Sequence, residues 1–166
     1  MARVKRQSRR VVIGLGANLG ARRQTLESAI RVLTSELGTL LELSRWHETE
    51  PLVPEGEDPA AVPKFLNGAA MFETRMSPVE VLTVLRILER ELGRDRARER
   101  ARWQPRIVDL DLIAYEDEVI MLPDLIVPHP HMHKRRFVLE PLCEIWPDWR
   151  HPQLGLTARE LLNLCD

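Results

Sequence analysis

The chain has 166 residues, 44% of them apolar and 30% charged, with a formal charge of −1. That length and balance suit a globular unit with its own core and exclude a disordered chain. They also exclude a uniformly basic nucleic-acid binder, so any grip on phosphate has to come from a local patch. No apolar run approaches the roughly 20 residues that cross a bilayer. Cys143 and Cys165 form neither a framework nor a Cys-x-x-Cys, which fits a reducing compartment. The expectation is a cytoplasmic monomer with no nucleic-acid or membrane partner.

Residues 1–10, with Arg3, Lys5, Arg6, Arg9 and Arg10, read as a basic tail, and residues 11–166 as a single domain. Val11 to Leu15 is too short for a signal-peptide core. Val11 to Gly16 reads as a buried strand stopped by glycines. A helix follows, with Leu26, Ala29, Ile30, Leu33 and Leu37 on one stripe and Gly38 just past its end. Leu40 to Glu50 and Phe65 to Thr74 read as strands. Between them, the run Pro54-Glu55-Gly56-Glu57-Asp58-Pro59 is too rich in Pro, Gly and acids for regular structure.

Ser77, Pro78 and Glu80 form a capping box with proline at the first helical position. Leu82, Leu85, Leu88 and Leu92 give that helix its stripe, and Gly93 ends it. After an arginine-rich connection, Ile107 to Tyr115 reads as a strand, with Glu118 to Ile120 as its hairpin partner. Cys143 lies in an apolar helical run, and Thr157 with Glu160 caps a short final helix. Strand, helix, strand, strand, helix, strand is the split βαβ plan of an α+β, ferredoxin-like fold. Helices packed on a mostly antiparallel sheet are expected to cover one face, leaving the other and its loops for a ligand.

The chemistry concentrates in Asp109-Leu110-Asp111. On a strand the two carboxylates share a face, with α-carbons roughly 6.6 Å apart. Side-by-side like charges are costly unless a cation lies between them. Mg²⁺ takes one or two carboxylates plus substrate phosphates, and two metals can clamp a phosphoryl group. A solvated sheet face carrying two acids would give the same pattern. Upstream, Arg94, Arg96, Arg98, Arg100, Arg102 and Arg106 surround Trp103. Guanidinium forks match phosphate oxygens and an indole can stack on a base. A flexible charged loop, partly balanced by Asp95 and Glu99, is the plainer alternative.

Several motifs occur together in one order. They are Gly14-x-Gly16-x-Asn18-Leu19-Gly20, Thr49-x-Pro51-Leu52, Phe65-Leu66-Asn67 and Leu92-Gly93-Arg94-x-Arg96. Then come Arg102-Trp103-x-Pro105-Arg106-x-x-Asp109-Leu110-Asp111-Leu112, Val127-Pro128-His129-Pro130-x-Met132, and Arg135-x-Phe137-Val138-Leu139-x-Pro141-Leu142-x-Glu144-Ile145. From Val12 to Pro147 the chain resembles 6-hydroxymethyl-7,8-dihydropterin pyrophosphokinase, a folate-biosynthesis family. The resemblance implies transfer of pyrophosphate from ATP to the hydroxymethyl oxygen of the reduced pterin, with AMP released and two Mg²⁺ held by Asp109 and Asp111. It implies catalytic roles for Arg94, Arg96 and Arg106 beside the acid pair. It implies ATP contacts from Arg86, Glu89, Trp103, Arg106, Leu112, His129 and Arg135. It also implies a pterin site of Thr49, Glu50, Leu52, Phe65, Asn67, Asp109 and Phe137. Without it, Phe65 and Phe137 read as core.

Departures from the family pattern lie at Arg86, where glutamine is usual, at Gln104, where glycine is common, and at His47, where an aromatic is frequent. The arm from Gly93 to Trp103 is about two residues longer than in the commonest members. Gly14-x-Gly16 resembles the start of a dinucleotide fingerprint, but the third glycine is at 20 and no second βαβ unit follows. No Gly-Lys-Ser/Thr run marks a P-loop, and prolines 128 and 130 break up the His129-x-His131-x-His133 series. A metal-dependent nuclease or nucleotidyltransferase, or a non-catalytic ligand-binding module, are the competing readings.

Overall fold

The computed structural model describes residues 5–51, 53–94 and 108–166. Along the chain it forms β1 (Arg9–Ala17), α1 (Arg22–Leu37), β2 (Gly38–Leu43), β3 (His47–Thr49), β4 (Phe65–Thr74) and α2 (Pro78–Glu91). There follow β5 (Asp109–Tyr115), β6 (Ile120–Leu122), β7 (Leu125–Val127), α3 (Arg136–Ile145) and α4 (Ala158–Leu164). The main sheet runs β2-β4-β1-β5, with β3 also paired to β4, and each of these pairings is antiparallel. Because β4 lies between β1 and β2, the strands that α1 connects, this is the split βαβ arrangement of a ferredoxin-like α+β fold.

Strand alternation divides the core in two. Val11, Ile13 and Leu15 of β1, Phe72 of β4, and Leu110 and Leu112 of β5 face α1 and α2, where Leu26, Leu33, Leu85 and Leu88 meet them. Val12, Ala69, Met71 and Ile113 face the other way, onto Leu139 and Leu142 of α3 and Leu161 of α4. Helices therefore pack on both faces, which corrects the expectation of one bare face. The stripe Leu139, Leu142 and Ile145 on α3 has to be buried somewhere, and the second face of the sheet takes it. Only part of that face is covered, and the remainder becomes the cleft described below.

Local expectations hold where a cap or an alternating run specifies the element. β4 spans Phe65–Thr74 as read. Ser77 Oγ accepts from Glu80 N, while Glu80 Oε2 accepts from Ser77 N at 2.9 Å, closing the capping box. The buried side of α2 is Val81, Leu85, Leu88 and Glu89, with Leu82 and Leu92 only partly covered. At α4, Thr157 accepts from Glu160 N and its hydroxyl donates to Glu160 Oε1 at 3.1 Å, so the side chain closes the turn itself.

Other boundaries move. β1 runs through Gly14 and Gly16 instead of stopping there, since strands on both sides supply its hydrogen bonds. The long strand over 40–50 divides at Ser44–Trp46. Ser44 still pairs with Ala69, but the Trp46 ring lies so close to Gly68 that a Cβ there would stand 2.5 Å from it. The acidic loop holds one 3₁₀ turn, Pro59–Ala61, capped by Asp58. Residues 118–120 do not return onto β5; β6 pairs instead with β7 in a separate hairpin.

Candidate active site

A cleft of about 260 Å³ opens on the second face of the sheet, beside α3. Its floor follows from register. Gly16 stands opposite Asn67 on one side and Asp109 on the other, and Gly14 opposite Ala69 and Asp111. Directly opposed residues in antiparallel strands project to the same face, so the two carboxylates look across glycines that have no side chains to block them. The space is needed: a Cβ on Gly16 would lie 2.5 Å from Asn67 Oδ1, and one on Gly14 would press on Ile113 at 3.1 Å.

The walls come from four segments. Thr49 ends β3 and Glu50 follows it, Phe65 and Asn67 open β4, His129 and Arg135 lie between β7 and α3, and Phe137 lies in the first turn of α3. Asn67 Nδ2 donates to Thr49 Oγ1 at 2.5 Å, which ties the rim at β3 to the floor. The Arg135 guanidinium stands over the Phe137 ring at 5.8 Å, within cation–π range. The His129 amide donates to Ile113 O at 3.0 Å, and its Nδ1 accepts from the His131 amide at 3.2 Å. Nine of the sequence-read residues thus meet here: Thr49, Glu50, Phe65, Asn67, Asp109, Asp111, His129, Arg135 and Phe137.

Behind the acid pair lies a buried ionic brace. Glu89, 1% exposed on α2, accepts from Arg86 Nη1 at 2.7 Å, from Arg94 Nη1 at 2.5 Å and from the Leu110 amide at 3.1 Å. Arg94 Nη1 also donates to Asp109 Oδ1 at 2.7 Å and lies 3.3 Å from Val108 O. Burying a carboxylate is costly unless cations and donors satisfy it, and here two guanidiniums and a backbone amide do so. Glu89 and Arg94, expected at the nucleotide and the phosphates, contact the Asp109–Asp111 strand through Asp109 Oδ1 and the Leu110 amide. The Leu112 side chain is likewise turned into the α1/α2 core, 4% exposed, which leaves it only backbone to offer a ligand. Arg86 lines a shallow groove on α2 together with Leu82, Thr83 and Leu125, away from the cleft. Leu52, Arg96, Trp103 and Arg106 lie outside the described residues, as do Arg98, Arg100 and Arg102.

Sequence reading missed the part played by Gly14 and Gly16, taking them as strand stops, and gave no role to Ala69, His131 or Val138, which also line the cleft. The signal was present: alternate glycines in one strand match alternate acids in another. Only the register shows that they are partners.

Fold and cleft together define a class, a ferredoxin-like α+β protein whose paired acids open onto a ring-lined pocket. The model of the family 7,8-dihydro-6-hydroxymethylpterin-pyrophosphokinase (HPPK) matches residues 12–147. A curated 2-amino-4-hydroxy-6-hydroxymethyldihydropteridine pyrophosphokinase of Pseudomonas aeruginosa is 38% identical over 157 residues, covering 94% of this chain and 91% of that protein. Its Bacillus subtilis namesake is 40% identical over 134 residues, covering 80% of this chain and 75% of the relative. The chain belongs to this pyrophosphokinase family. Among solved structures, the Plasmodium falciparum HPPK-DHPS wild type with pteroate superposes with a TM-score of 0.75 at 16% identity, which speaks to the fold alone. That match covers 98% of this chain and 43% of the longer Plasmodium chain.

Proposed function

We propose that this protein transfers the pyrophosphoryl group of ATP to the hydroxymethyl oxygen of 6-hydroxymethyl-7,8-dihydropterin, releasing AMP. The observation that carries the reading is the row Asp109–Gly16–Asn67, running across β5, β1 and β4 on one open face beside Phe65 and Phe137. A flat heterocycle between two rings, bonded at its edge by Asn67 and at the rim near Thr49 and Glu50, with Leu52 assigned to the same edge, would bring a side arm toward the carboxylates.

The donor set fits Mg²⁺ of a particular kind. Among the described residues no three His, Cys, Asp or Glu side chains gather as a closed metal cage. Two carboxylates on one face suit a hard cation whose other ligands are phosphate oxygens and water. Asp109 and Asp111 would hold it, with Asp109 kept in place through Oδ1 by Arg94. Two such ions, when bound, would neutralise the charge that builds on the phosphates.

The protein's own contribution is then placement. Phe65, Phe137 and Asn67 orient the hydroxymethyl oxygen. His129 and Arg135 border the cleft between β7 and α3; Arg135 supplies positive charge for the triphosphate and His129 an imidazole to bond a phosphate oxygen, with Arg96 and Arg106 assigned to the same task as Arg135. Trp103 is assigned the task of limiting water at the reactants. The hydroxymethyl oxygen attacks the β-phosphorus in line, the bond from that phosphorus to the α–β bridging oxygen breaks, and AMP departs. No covalent enzyme intermediate is needed.

The test is a product analysis. Incubation of the protein with ATP, Mg²⁺ and hydroxymethyl-dihydropterin should give AMP and pterin diphosphate in equal amounts. ADP in place of AMP would mean single-phosphoryl transfer, and no consumption of the pterin would end the reading.

A further inference from the structure

His47 lies outside the cleft, yet its contacts join the two segments that form one side of it. The residue belongs to β3, two positions before Thr49. Its Nε2 is 2.5 Å from Glu144 Oε1 and its Nδ1 is 3.8 Å from Glu140 Oε2, both on α3. Glu144 also accepts from the Arg45 amide at 2.8 Å and from Arg45 Nη2 at 3.2 Å. Glu140 is held in turn by Arg136 Nε at 2.6 Å. The β3 end of this cluster continues through Thr49 to Asn67. The α3 end continues along the helix that presents Phe137, Val138 and Leu142 to the cleft. β3 has three residues and one strand partner, so few ladder bonds fix the rim. Side-chain contacts to α3 supply what the short strand lacks.

We propose that His47 and Glu144 form a latch that sets the width of the pterin pocket and that tightens on protonation of the imidazole; this rests on the function proposed above. His47 and Glu144 are therefore positioning residues, since neither lines the cleft.

The charges facing the imidazole are those of Glu140 and Glu144 on α3, Arg45 in the preceding bend, and Arg136 acting through Glu140. On β4, His47 pairs with Asn67, which does not titrate. Burial works to raise the Glu144 carboxyl, but the bonds from Arg45 and His47 outweigh it and hold the group below its ordinary value. Glu144 is thus an anion throughout the range, between about pH 5 and 8, in which an imidazole changes charge. With both ring nitrogens protonated, His47 donates to Glu144 and faces Glu140, 3.8 Å away, as a cation without a hydrogen bond to it. When neutral it has one N–H, and a lone pair then faces the other acid. Rising pH weakens the latch and leaves the rim looser.

The experiment compares native protein, His47→Ala and His47→Gln across pH 5 to 8 at saturating Mg²⁺-ATP. His47→Ala should raise the KM for hydroxymethyl-dihydropterin by about five-fold, the factor expected from losing one charge-assisted hydrogen bond. It should leave kcat and the KM for ATP within about two-fold. His47→Gln, which keeps one donor and cannot titrate, should recover most of the pterin KM and remove its rise with pH. Equal losses in kcat and both KM values, or the same pH dependence in native and Gln proteins, would overturn the latch. Amide hydrogen exchange of residues 44–50 provides a readout independent of turnover. It should quicken in His47→Ala and, in the native protein, as pH rises, after correction for intrinsic exchange. Unchanged exchange refutes the latch. A native protein that turns over no pterin while its exchange behaves as described refutes the proposed reaction and leaves the latch standing.

Discussion

Arg94 ties one member of the acid pair, Asp109, to the buried carboxylate of Glu89. Its side chain is 2% exposed and one nitrogen bridges Glu89 and Asp109, so truncation removes one of the two guanidiniums on a buried carboxylate and a contact to Asp109 at the cleft. Removing one partner of a buried ion pair typically costs several kcal/mol. Arg94→Ala should lower stability by about 3 kcal/mol in urea unfolding, and should lower turnover as well, because Asp109 loses its fixed orientation. Arg94→Lys should keep part of the stability and recover less of the activity, since an ammonium does not reproduce the guanidinium's fixed geometry. If Arg94→Ala unfolds at the native urea concentration, the brace carries no weight. At this scale the sequence was legible in kind and not in direction. Glu89 and Arg94 could be picked out as charged residues near the acids, but nothing in a linear string says that α2 packs on β5 and brings Glu89 to the Leu110 amide and Arg94 to Asp109.

Elements ended where a cap or a close backbone approach ended them. Gly38 closes α1 and opens β2 with φ of 142°, and a Cβ there would collide with Glu73 O. Both the conformation and the contact exclude a side chain. Gly38→Ala should therefore cost more than removal of the α2 cap: about 2 kcal/mol or more for Gly38→Ala, against about 1 kcal/mol for Ser77→Ala. Thermal unfolding of the two proteins checks the order, and equal or reversed losses would reject the account of Gly38 as a sterically required corner. The cap at Ser77 and the run at Phe65–Thr74 were readable because each is specified by neighbours in sequence. The break at Ser44–Trp46 and the β6–β7 hairpin were not, because a ring lying over Gly68 and the pairing of Ile120–Leu122 with Leu125–Val127 are settled by tertiary contacts.

The molecule as a whole leaves its cleft where helix packing on the sheet stops. α1 and α2 close one side of the sheet; α3 and α4 close half of the other, and the uncovered half is where Gly14, Gly16, Asn67, Asp109 and Asp111 lie. The order of elements was enough to read the split βαβ plan, because hydrophobic periodicity survives in the sequence. The second helical layer was missed, since a stripe such as Leu139, Leu142 and Ile145 says that a helix is buried but not against what. The central claim is that Asp109 and Asp111 act together as the divalent-cation seat for pyrophosphoryl transfer. It is tested most directly by following AMP formation from ATP, Mg²⁺ and hydroxymethyl-dihydropterin with native protein, Asp109→Asn and Asp111→Asn, each first shown to be folded. The account predicts AMP from the native protein and a loss of at least about a hundred-fold in kcat for each substitution; near-native turnover in either one would contradict it.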